Sequence, residues 1–285
     1  MATGATEFMD KTTQDYYIAE MWSPVVLEAY EANLLFANLV DRRFDKHMKS
    51  GDTLHVQDVA NLTATAKSES SAVLYETVSV SKIDISVDQF YYAAIAVERV
   101  VEVQAMLDQA KLWGPKLSYA LALQVDDTLA GLVDNFSQYV GTLNVPSSVD
   151  NWIRAVQYLD DANAPDDERF AVVAPAEWAN IIKQDFFVRS EYKDSVGQLS
   201  AKAKRGFFGS ALGVDFFKSS NVEGANGSGH DNGVFQRQAL TLVQQLAPEV
   251  ETQYDIDYLA RKVVAFEMFG TAEMRDTSGV WVKGF

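Results

Sequence analysis

The residues best suited to chemistry in this chain are three histidines, three pairs of adjacent carboxylates, two glycine-rich stretches that carry serine, and one basic cluster. His47, His55 and His230 lack the His-Glu-x-x-His type of spacing that puts two ligands on one helix face, so they are read as non-ligand histidines and a zinc enzyme is not expected. Cysteine is absent, which removes thiolate nucleophiles, thiolate metal sites and disulfides. Asp126-Asp127, Asp160-Asp161 and Asp166-Asp167 are sequence neighbours; on a helix such neighbours point in different directions, so they are read as solvated faces rather than acid–base pairs. Gly209-Ser210-Ala211-Leu212-Gly213 does not have the Gly-x-Ser-x-Gly spacing of a nucleophile elbow. The stretch Gly227-Ser228-Gly229-His230-Asp231-Asn232-Gly233 fits neither a Walker loop nor a dinucleotide turn, and both stretches are read as turns. Lys202, Lys204 and Arg205 form the basic cluster, read as a solvated loop or as a contact with an acidic neighbour. No catalytic residue, cofactor or metal is expected.

The elements that would position these residues belong to a chain able to bury a sizeable core. With 285 residues, 48% of them hydrophobic and 22% charged, the sequence fits one large domain or two closely joined subdomains. The net charge of -16 argues against attraction to nucleic-acid phosphates, which depends on clustered Lys and Arg. Acidity then either keeps the protein soluble or lines a container whose walls repel packed DNA. The first ten residues carry acids and no basic-then-apolar pattern, and no apolar run approaches the roughly 18 residues of a membrane span. Neither secretion nor membrane insertion is expected.

Along the chain, polar residues 1–14 precede an aromatic patch containing Tyr16, Tyr17 and Trp22. Ser23 and Pro24 then read as N-cap and first residue of a helix running to about Leu39. A strand over 51–60, a polar Thr/Ser/Ala stretch over 61–71 and a return strand make a long hairpin. On the return, Ile83, Ile85, Val87, Gln89, Tyr91, Ala93, Ile95 and Val97 share one face. Read as one strand, this run is about 50 Å long against a usual ~17–20 Å. A chain of this size has a folded radius of gyration of only about 19 Å, so the outer half of the hairpin is expected to lie on a neighbouring subunit. The alternative is a hairpin bent back onto its own core, with a bulge where the phase breaks between Val80 and Ile83.

Helical pattern resumes near Glu98 and is expected to break at Gly114-Pro115, where a second, long helix starts. Its stripe is Leu117, Leu121, Val125, Leu129, Leu132, Val133 and Phe136, spanning roughly 30 Å. Shorter elements follow: helix 149–159, strand 169–174, helix 176–182, a loop over 185–205, a glycine-punctuated segment over 206–222, a loop over 223–233 and a strand over 235–243. These mark an α/β subdomain. Residues 257–269 fit helix or strand equally, and the tail returns in extended segments to Trp281 and Val282. The fold class is α+β.

The order of arm, long hairpin, spine helix, compact α/β subdomain and extended return resembles the major capsid proteins of tailed bacteriophages, the Hong Kong 97-like capsid fold. Individual stretches are similar too. Trp22-Ser23-Pro24 through Asn33-Leu34-Leu35 to Val40 resembles the family's arm helix, and Gly51-Asp52-Thr53-Leu54-His55-Val56 with Asn61-Leu62-Thr63-Ala64 resembles its extended loop. Tyr92-Ala93-Ala94, Val100-Val101-Glu102, Tyr119-Ala120-Leu121-Ala122, Val172-Val173-Ala174-Pro175 and the run from Gly213-Val214 to Asn221-Val222 follow in the family's order. The resemblance implies an N-terminal arm (1–50), an extended β-hairpin loop (51–97), a peripheral domain with the spine helix (98–145), an axial domain (146–245) and a return to the peripheral domain (246–285). It implies a virion protein assembled in a bacterial cytoplasm: hexamers and pentamers in an icosahedral shell around double-stranded DNA, with a separate scaffolding protein and a portal as partners. An encapsulin-like compartment shell is the alternative. Assembly contacts are expected at Trp22, Lys67, Ile85, Val87, Lys202, Lys204 and Arg205. Lys67 also lies where some relatives carry a crosslinking lysine, but no acid or asparagine partner is identifiable and no crosslink is expected.

Overall fold

The computed structural model describes residues 34–59, 62–70, 72–73, 75, 77, 80–104, 109–184, 207–225 and 227–285. Within them, α1 (Phe36–Leu39) starts afresh after the non-helical Leu34 and Leu35, so the helix expected to run to about Leu39 does not pass through these two residues, and its expected start at Ser23 and Pro24 lies outside the described residues; β1 (Thr53–Val59) and β2 (Val80–Ser86) follow. These two pair antiparallel from Thr53↔Ser86 to Val59↔Val80, the two arms of the expected hairpin. The expected single return strand is in fact two. The chain leaves the ladder at Val87-Asp88 and re-enters as β3 (Gln89–Glu98), which pairs with a different strand. Alternation runs in phase across the break, because both segments put their odd-numbered side chains inward. A change of partner therefore leaves no trace in the period of two.

After α2 (Arg99–Gln104), the spine helix α3 (Gln109–Ala130) spans about 33 Å. It runs through Gly114-Pro115 instead of starting there, so one ladder bond is forgone at Pro115 inside a continuous helix. From Leu121 onward the expected stripe is the buried one: Leu121, Val125 and Leu129 face inward, and Val133 and Phe136 extend the line past the helix end. This face packs on a three-stranded antiparallel sheet ordered β10 (Leu240–Asp255), β11 (Ala260–Glu273), β3. Of the ambiguous 257–269 segment, 257–259 lie in the turn before β11 and 260–269 are strand. The two faces of this strand are both apolar, which hid the period, and it is the middle strand of this sheet.

The α/β unit is a mixed sheet in the order β4 (Tyr139–Gly141), β12 (Gly279–Gly284), β9 (Gly229–Gln236), β5 (Arg169–Val173), β7 (Val214–Lys218), β6 (Phe207–Ala211), with β8 (Gly224–Ala225) on β9. Both faces are covered. Val172, Ala174, Phe217 and Phe235 join the core under α1 and α3. The alternate residues Ala171, Val173, Phe216 and Val234 join a second core under α4 (Val149–Asp161) and α5 (Pro175–Ile181). Ser148 caps α4 by accepting from Asn151 N, and Trp152, Ala155 and Leu159 form its buried stripe.

Three expectations shift here. The 223–233 loop is mostly strand, with Gly233 in β9 where a Cβ would lie 2.9 Å from Val133 Cγ1. The 235–243 strand is two strands, β9 and β10, split by a 3₁₀ turn at Arg237–Ala239. The chain's last strand, β12, lies in the larger sheet between β4 and β9, and position 246 falls inside β10. Units of the fold are thus interleaved along the sequence.

Candidate assembly surfaces

The hairpin β1–β2 is anchored at its base and bare at its outer end. Cross-strand pairs Leu54↔Ile85 and Val56↔Ile83 turn inward and pack with Met48, Val243 and Met274. The root is tight: a Cβ on Gly270 would lie 2.2 Å from Ser86 O, so the chain crosses β11 there by grace of a missing side chain. Farther out, the pair Val59↔Val80 is exposed, as are Leu62, Val73 and Tyr75 in the connecting segment. His55 Nδ1 sits 2.5 Å from Asp84 Oδ1 across the hairpin. Asp84 is held below the usual carboxylate range, first by a hydrogen bond from Lys82 and then by His55.

Two further surfaces expose apolar side chains in contiguous groups, which in an isolated subunit marks a place for a partner. On the sheet face away from α3, Phe90 and Tyr92 of β3 stand beside Phe266 of β11, with Phe90 and Phe266 rings 6.4 Å apart. At the far end of the same sheet, the β10–β11 turn exposes Ile256 (76%) and Tyr258 (73%), and α2 beside it exposes Val100 and Val103. Arg99 N donates to Leu259 O and fixes α2 to that turn. Sequence reasoning passed over this tip. The signal was present in Ile256-Asp257-Tyr258-Leu259, apolar residues at a turn where polar ones are usual.

Of the expected contacts, Lys67 is exposed in the segment joining β1 to β2. Ile85 is fully buried and Val87 nearly so, both packed by the chain's own core at the loop root. Their side chains therefore hold the loop to its own body. Prolines at both positions, a change otherwise aimed at the loop alone, would also strike this core and remove the bond from Val87 N to Asp52 O. Trp22, Lys202, Lys204 and Arg205 lie outside the described residues.

The chemistry-bearing residues are dispersed. His55 is on the hairpin, His47 in the turn before it and His230 on β9, and no cluster of three metal-ligating side chains occurs among the described residues. Of the stretch read as a turn, Gly209 to Ala211 belong to β6, and only Leu212 and Gly213, both at positive φ, form the two-residue turn to β7. Ser210 Oγ donates across it to Asp215. Asp160 and Asp166 stay solvent-exposed but flank the buried Arg169, at 2.6 and 2.9 Å.

Asp126 departs from the solvated reading and is the residue that ties the parts together. It is buried on α3 while Asp127 faces out. Its Oδ1 accepts from Leu35 N at 3.0 Å and Phe36 N at 2.7 Å, capping α1, and its Oδ2 accepts from Asn221 Nδ2 at 2.9 Å beyond β7. Burial pushes its pKa up, while the Asn221 and α1 donors pull it down. One carboxylate thus joins α1, α3 and the segment after β7.

Known structures share this arrangement over nearly the full chain. A structure from Mycobacterium phage Che8 superposes with a TM-score of 0.77 at 23% identity, covering 93% of this chain and 97% of that one. The capsid structure of cyanophage P-SCSP1u gives 0.75 at 15% identity over 95% and 94%. The mature capsid of bacteriophage PhiM1 gives 0.72 at 13% over 99% and 96%. No protein-family model matches the sequence, and no curated protein matches it. The likeness is one of fold, and it extends over more than nine-tenths of the chain: this chain has the fold of the tailed-phage major capsid proteins, the Hong Kong 97-like fold.

Proposed function

We propose that this chain is the coat protein of a tailed phage, assembling as hexamers and pentamers into an icosahedral head around double-stranded DNA. The observation that carries this reading is end-to-end agreement with capsid subunits: more than nine-tenths of each chain is matched. A partial match would leave room for a borrowed domain. The exposed apolar groups on hairpin, sheet face and sheet tip support it, since each is a surface that one subunit leaves uncovered. Function here is geometric. A loop held only at its root can lie at different angles on different neighbours, while the doubly covered axial sheet keeps its shape.

A net charge of -16 suits a wall that contains DNA without binding it. A separate scaffolding protein and a portal complete the proposed assembly. Electron microscopy of the chain expressed alone and with its candidate scaffold is the test. Shells or hexameric and pentameric rings are expected, and particles from infected cells should protect DNA of phage-genome length from nuclease. Monomers under both conditions would refute shell formation, and particles filled with protein cargo would point to a cellular compartment.

A further inference from the structure

Between the root of the hairpin and the body lies a cavity of about 320 Å³, within the size range of small-ligand sites. Its floor is apolar, made by Phe44, Val56, Ile83 and Met274, and its rim carries Arg43 and Arg275. Arg43 is engaged by Asp41 at 2.6 Å and lies 5.1 Å from the centre of the Phe44 ring. Arg275 is exposed and has no carboxylate partner among the described residues. The one carboxylate of the lining, Asp58, accepts a hydrogen bond from Ser81 on the neighbouring strand. An apolar seat edged by arginine, on a chain of net charge -16, selects an occupant that pairs large apolar side chains with acids.

Among the stretches outside the described residues, 7–22 pairs the most acids with the most aromatic side chains. Residues 7–22 hold Glu7, Asp10, Asp15 and Glu20 against a single Lys11, interleaved with Phe8, Tyr16, Tyr17, Ile18, Met21 and Trp22. Eleven residues lie between Trp22 and Leu34, the first of the described residues, a tether of up to about 40 Å when extended. We infer that the cavity at the hairpin root is a docking site for the acidic, aromatic stretch 7–22, an apolar side chain entering the floor and a neighbouring carboxylate meeting Arg275. Filling the cavity braces β1 and β2 against the body, so the arm sets how firmly the loop is held.

The test is photocrosslinking of the full-length, unassembled chain, with Gln57 on the β1 wall replaced by p-benzoylphenylalanine and the products mapped by mass spectrometry. Crosslinks are expected within 7–22. Their yield should fall at least about fivefold in Arg275→Glu and stay unchanged in Lys218→Glu, a charge reversal on β7 away from the cavity. Crosslinks confined to other parts of the chain, such as the 60–79 segment, or a yield indifferent to Arg275→Glu, would overturn the assignment. Because the readout needs no shell, a failure of the coat-protein reading would leave this result unaffected.

Discussion

Replacing Asp126 tests whether one buried carboxylate joins three parts of the fold. Asp126→Ala deletes three hydrogen bonds and strands the amides of Leu35 and Phe36 in a buried setting. At about 1–3 kcal/mol per orphaned group, the gross loss is about 2–6 kcal/mol. Relief of the carboxylate's own desolvation, the main cause of its raised pKa, returns part of that, so a net loss of about 3 kcal/mol is expected. Asp126→Asn keeps an acceptor at Oδ1 for the two amides and gives up only the bond from Asn221, a loss of about 1 kcal/mol. Urea unfolding of the unassembled chain, followed by tryptophan fluorescence, measures both. With a slope of about 3 kcal/mol/M, the midpoint should drop by about 1 M for Ala and about 0.3 M for Asn. Equal losses for the two variants would refute the reasoning, since only the orphaned amides distinguish them. So would an Ala midpoint unchanged from the parent.

Gly270→Ala should cost about 1–3 kcal/mol by forcing Ser86 and Val87 off β11; a thermal melt checks the cost, and electron microscopy should show fewer or misshapen particles. Val59→Asp, on the exposed end of the hairpin, should change stability by less than about 0.5 kcal/mol yet block shells, a combination read by pairing the same melt with microscopy. Glu273 is pushed up to about 7, first by burial and then by its hydrogen bond with Asp276, which itself accepts from Ser137 N. Because the folded chain holds this proton more tightly than the unfolded one, the contribution is fully present below the ordinary value of 4.5 and is lost as pH rises through about 7. Glu273→Gln should therefore flatten the fall in melting temperature between pH 5 and pH 8, and an undiminished slope would assign that fall to other groups.

The sequence by itself determined a good deal of this protein. Alternation from Ile83 to Val97 gave the inward face of both β2 and β3 correctly, because a strand buried on one side must repeat every two residues wherever it pairs. The stripe from Leu121 to Phe136 marked the face of α3 that meets the core for the same kind of reason, and the order of elements pointed to the capsid fold. Tertiary structure decided what periodicity does not carry. The break at Val87-Asp88 changes partners without changing phase, and Pro115 sits in a helix whose packing outweighs one missing ladder bond. Residues 260–269 are strand because β10 and β3 flank them on both sides, and β3 comes from far away in sequence. The same holds for Asp126: next to Asp127 it reads as a solvated acid, and only the arrival of Leu35, Phe36 and Asn221 from distant segments makes it a buried cap. Local pattern records which side of an element is buried, whereas partners separated by 90 residues or more along the chain are chosen by the fold as a whole.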